Sequence, residues 1–117
     1  MDRTLEIIQD GEPLLRFECG ATLSALQRRQ LAQLDLRLDQ GFELDDERIA
    51  HPDRDQRIRF VIGQLLYVLQ RGEAPAVRGL CTWLGQRVPE LSAIRINTGG
   101  DDLEVELEYG PGTGSDV

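Results

Sequence analysis

Apolar residues recur every third or fourth position from Ile58 to Leu69 and every second position from Leu103 to Tyr109, and these two periods frame the reading of the chain. At about 100° per residue, Ile58, Val61, Ile62, Leu65, Leu66, Val68 and Leu69 fall in one broad arc of a helix. Asp53 and Gln56 stand in capping-box positions at its start, and Gly72 provides a left-handed stop. Phe60 and Tyr67, seven residues apart, share the opposite side, with Gly63 nearby leaving room for close approach. The central helix therefore has two apolar surfaces. The second is expected to meet another helix of the same domain, the sharper reading being a homodimer or partner contact.

Thr4 to Gln9 alternates as a strand, and Asp10-Gly11 between apolar runs marks a type I′ hairpin turn. The returning strand runs from Pro13 to Cys19 with Leu15, Phe17 and Cys19 on one face. Proline has no N–H to give a ladder, so this strand starts late or lies at an edge. Thr22 or Ser24 can open a helix to about Asp39, Ser24 with Gln27 standing in capping-box positions, with Leu23, Leu26, Leu31, Leu34 and Leu38 on its core face and Gln30 interrupting any zipper. The segment FELDDERIAHP, Phe42 to Pro52, has the least regular pattern. It is read as a connection in which Asp45 caps one helical turn that His51-Pro52 ends. Pro75 opens a third helix whose inward stripe is Val77, Leu80, Cys81, Leu84 and Val88, with Trp83 on the shoulder and Pro89 beyond its end. Leu91 to Thr98 reads as a strand with Ile94 and Ile96 inward, and a Gly-Gly turn leads into LEVELEY.

Together these elements predict an α+β fold of order ββ-ααα-ββ. Its two β-hairpins join into one four-stranded antiparallel sheet, with three helices packed on one face. Residues 1–109 form a single domain by this reading, and 110–117, GPGTGSDV, a flexible tail with too little apolar content to offset ordering entropy.

Composition narrows the function. The 117 residues carry 21 acids against 13 bases, a net charge of −8 that repels phosphate backbones and anionic lipid, so nucleic acid and membrane are poor partners. All thirteen bases are arginine, which points to a GC-rich bacterial genome. Cys19 and Cys81 lack metal-ligand spacing and read as buried free thiols of a reducing compartment. The start MDRTLEII has neither the basic residues nor the unbroken apolar run of a signal peptide, and no window reaches the roughly 18 apolar residues of a membrane span, so the expected location is cytoplasmic.

Chemistry is thinly marked. Asp35, Asp39, Glu43, Asp45, Asp46 and Glu47 offer oxygens to a hard cation, and the alternative function is a small metal-dependent hydrolase or nucleotide-binding protein built on 35–47. The facing carboxylate pair such a site requires is not visible, and no metal or other cofactor is expected. His51 has no nucleophile in any recognisable pattern, and Gly99-Gly100 is flanked by aspartates that repel an anion. Arg54, Arg57 and Arg59 interleave with Asp53 and Asp55, which predicts pairing within the molecule. Glu104, Glu106 and Glu108 are read as the wet face of a strand. The function expected is a non-enzymatic bacterial protein that binds another protein, as an adaptor, an immunity-type inhibitor or a chaperone, or that self-associates as a homodimer. Phe60, Gly63, Tyr67 and Trp83, at the margin of the predicted core, are the interaction residues.

Overall fold

In the computed structural model, which describes residues 4–19 and 22–110, the two marked capping boxes and the Asp-Gly hairpin all form. The chain runs β1 (Thr4–Gln9), β2 (Glu12–Glu18), α1 (Ala25–Asp39), β3 (Phe42–Leu44), β4 (Glu47–Ile49), α2 (Arg54–Arg71), α3 (Ala74–Arg87), β5 (Leu91–Asn97) and β6 (Glu104–Tyr109). It divides into two compact units, residues 1–21 with 85–117, and residues 22–84. No helix of the described residues is long and apolar enough to cross a membrane.

The first unit holds a four-stranded sheet of order β2-β1-β5-β6. The sheet is mixed and not the four-stranded antiparallel one expected. Each hairpin is antiparallel internally, but the hairpins join through β1 and β5, which run parallel. Parallel neighbours need a long crossover, and the residues between Gln9 and Leu91, with all three helices among them, supply it. Local chemistry favours this order: Pro13 and the glutamates of β6 suit edge strands, leaving the more apolar β1 and β5 for the centre. Register aligns Leu15, Ile7, Ile94 and Leu107 in one row across all four strands. Ile7 and Ile94 in the middle of that row are completely buried. The other face carries the Arg16–Glu6 ion pair at 3.0 Å and an Arg95–Glu108 pair.

One residue fixes the direction of the join. Asp10, at φ 51° in the β1–β2 turn, donates its backbone N–H to the Ile96 carbonyl at 2.8 Å. Its carboxylate accepts from the Thr98 N–H at 2.8 Å and from the Thr98 hydroxyl. The C-terminal ends of β1 and β5 are thereby tied together, which an antiparallel pairing would not allow. Those Thr98 bonds, the hydroxyl's first, hold the Asp10 carboxyl below its ordinary range. A depressed carboxylate stabilises the fold above its unfolded pKa, and that contribution is lost as pH falls through the lower folded value. Asp10→Asn keeps a residue that tolerates positive φ but removes the charge. The stability difference between wild type and this variant is therefore expected to be constant at neutral pH and to shrink below about pH 4, as measured by urea unfolding across pH.

The second unit contains an element that the sequence pattern was not expected to produce. β3 and β4 form a two-stranded antiparallel hairpin in place of a capped helical turn. Asp45 and Asp46, at φ 52° and 65°, make its two-residue turn, since aspartate tolerates the left-handed region better than most residues. Gly41 enters it at φ 89°, where a Cβ would collide with the Ile49 carbonyl oxygen. Of the expected tail, Gly110 is tied by its N–H to the Glu90 carbonyl at 2.5 Å, and residues 111–117 lie outside the described residues.

Candidate functional site

Three helices of the 22–84 unit enclose an open-sided groove of about 680 Å3. α1 begins with a reciprocal cap, the Gln27 N–H donating to Ser24 Oγ at 3.1 Å and the Ser24 N–H to Gln27 Oε1 at 2.8 Å. Its Leu31 and Leu38 are buried, while Leu26, expected on the core face, is 58% exposed and lies in the groove wall beside Gln30, Leu34 and Arg37. α2 begins with the same device: the Gln56 N–H donates to Asp53 Oδ1 at 2.8 Å and the Asp53 N–H to Gln56 Oε1 at 2.9 Å. It ends on Gly72 at φ 69°. Ile58, Val61, Ile62, Leu65 and Val68 are buried as its arc predicts. Phe60, Val61, Gln64 and Val68 form the second wall, and Pro75, Ala76, Arg78, Gly79, Leu80 and Thr82 of α3 form the third.

A polar contact sets the spacing of the walls. The Trp83 indole N–H donates to Asp35 Oδ1 at 2.8 Å, joining α3 to α1. Trp83 is only 3% exposed, so it lies inside the core and not at its margin. It lines no part of the groove and bears on it only by joining two of its walls. Phe60 is half-buried and stacks on Phe42 of β3, with ring centroids 4.3 Å apart. The second surface of α2 thus meets a strand where a helix was expected, and only at that end. Tyr67, two turns on, is 57% exposed, with the Arg71 guanidinium 5.4 Å from its ring centre. Gly63 and Gly79 are exposed helical glycines, and a Cβ at either would meet nothing within 4 Å. Mid-helix glycine costs about 1 kcal/mol relative to alanine, and no packing inside the described structure offsets it at these two positions.

The acidic segment does not assemble. Asp35 accepts from Trp83, Asp39 pairs with Arg57 at 2.6 Å, and Asp45 lies 3.9 Å from Arg59. Among the described residues no three His, Cys, Asp or Glu side chains come together as a metal site. Arg57 and Arg59, expected to pair internally, do so, the second also with Asp55 at 3.5 Å. His51 is exposed on the short link after β4.

No protein-family model, curated protein or solved structure matches this chain. The groove must therefore be read from its own chemistry. Its floor is apolar, its rim carries four glutamine amides, Gln27, Gln30, Gln33 and Gln64, and two guanidinium groups, Arg37 and Arg78. No carboxylate lines it. Of the residues singled out from sequence, Phe60 lines the groove, Gly63 and Tyr67 stand exposed on the same helix, and Trp83 is buried and lines no part of it. The groove itself was missed because Leu26 and Leu34 obey the period of a core face. The one available signal was the glutamines set among those leucines, at 27, 30 and 33.

Proposed function

We propose that this chain is a non-enzymatic bacterial protein of the reducing cytoplasm that binds another protein by seating a helical segment of it between α1, α2 and α3. The observation that carries this reading is the open groove whose walls expose Leu26 and half-expose Leu34, Phe60 and Leu80. An amphipathic helix laid into such a trough buries its own apolar stripe and the leucines together. Phe60 in the groove wall provides aromatic area of the kind in which contact energy concentrates, and Gly79 leaves the α3 wall free of side-chain bulk, while Gly63 and Tyr67 stand exposed on α2 outside the lining. Both cysteines are buried and neither is in a disulfide, in keeping with a reducing compartment.

The test uses a displayed library of helical peptides of about 20 residues with a fixed leucine stripe, selected against the full chain. Selected peptides are expected to lose at least about tenfold in affinity for Gln64→Trp, which fills the groove from an exposed position. Leu14→Ala on β2, also exposed, is expected to leave binding unchanged. No selected peptide, or peptides indifferent to Gln64→Trp, would contradict the reading.

A further inference from the structure

We infer that the segment seated in this groove is an acidic amphipathic helix of a different protein, whose carboxylates pair with Arg37 and Arg78. This rests on the reading of the groove as a docking surface and adds the chemistry of its occupant. Among the described residues Arg16, Arg57, Arg59, Arg71 and Arg95 pair with carboxylates within the molecule, while Arg28, Arg29, Arg37, Arg48 and Arg78 have none within ion-pair distance, and of these only Arg37 and Arg78 line the groove. Arg37 and Arg78 are exposed at the groove, and among the described residues neither has a carboxylate within ion-pair distance.

The distribution of charge points the same way. Residues 22–84 contain nine arginines and nine acids and are neutral, while the remainder of the chain contains four arginines and twelve acids. The whole excess of −8 therefore belongs to the sheet unit, and the groove offers positive charge on a neutral background. Guanidinium groups suit this task because each presents a planar fork to a carboxylate. Solvent-exposed pairs contribute little to affinity, so the apolar stripe holds the partner and the arginines choose it. A second copy of this chain is a poor occupant. Asp35, Asp39 and Asp55 of its helices are already engaged, and α3 has no acid at all between Ala74 and Arg87.

The inference is tested with two synthetic helical peptides sharing one leucine stripe, flanked by glutamate in the first and lysine in the second, and titrated into the full chain by fluorescence anisotropy. The glutamate peptide is expected to bind about tenfold more tightly, and Arg37→Glu with Arg78→Glu is expected to reverse the order. Raising salt from about 50 mM to about 500 mM should narrow the preference. Equal binding of both peptides, still blocked by Gln64→Trp, would overturn the acidic partner while leaving the docking groove intact. Failure of Gln64→Trp to block either peptide would remove the groove and the inference together. Sedimentation of the unliganded chain supplies the last arm: a dimer broken by the two arginine reversals would make the occupant a second copy and overturn the proposal.

Discussion

Replacing Leu65 with alanine is expected to destabilise the folded chain by about 2–5 kcal/mol, measured as the shift in a urea unfolding curve. Leu65 is completely buried, at the centre of the apolar arc of α2. Truncation removes three carbons' worth of burial and leaves a space that packed neighbours fill only partly. Against a total stability of about 5–15 kcal/mol for a domain, a loss of that size puts the variant near its unfolding midpoint under mild conditions. Two residues on, Tyr67→Ala is expected to change stability by no more than about 0.5 kcal/mol, because its ring is mostly in water and the Arg71 contact is exposed. The contrast is the point. It separates the face of α2 that builds the fold from the face left for contact, and similar losses at both positions would show that the two faces had been assigned wrongly.

Trp83→Ala is expected to cost about 3–5 kcal/mol, and Trp83→Phe about 1–2 kcal/mol. The first figure is the loss of a large buried ring. The second follows from removing the indole N–H that donates to Asp35 across 2.8 Å, at the low end for a bond to a charged group because Asp35 is half-exposed and water can take the place of the donor. A double-mutant cycle with Asp35→Ala should show the two losses to be non-additive by a substantial part of the smaller one. Because this bond spaces α1 from α3, Trp83→Phe should also weaken groove-directed peptides although Trp83 lines no part of the groove. Additive losses with unchanged peptide affinity would show that the bond is incidental.

What could be read from the sequence was whatever neighbouring residues decide among themselves. Both capping boxes, the Asp10-Gly11 turn, the Gly72 stop and the buried arc of α2 involve partners within a few positions, and each appears as expected. The sheet order depends on contacts across some eighty residues, so the parallel join of β1 to β5 had no local signature apart from Pro13 and the β6 glutamates marking edges. The β3–β4 hairpin went unread because strands of three residues are too short to establish an alternating period, and Asp45-Asp46 lacks the glycine that usually announces such a turn.

The site was legible only in part, for a related reason. A helical period says that residues share a face, but it does not say whether that face is covered. Leu26 and Leu31 look alike in sequence, yet the first is 58% exposed and the second is buried. Phe60 and Tyr67 share a stripe, and only Phe60 finds a ring to stack on. The free arginines were invisible for the same cause: nothing in the sequence separates Arg37, left without a carboxylate, from Arg57, bound to Asp39 at 2.6 Å.

Amide chemical-shift mapping on the isotope-labelled chain, titrated with the glutamate-flanked peptide, addresses the docking groove most directly. The largest perturbations are expected at Leu26, Gln30, Gln64 and Gly79, on all three walls, with the amides of β2 and β6 unmoved. Perturbations centred on those edge strands, or spread without regard to the groove, would contradict it.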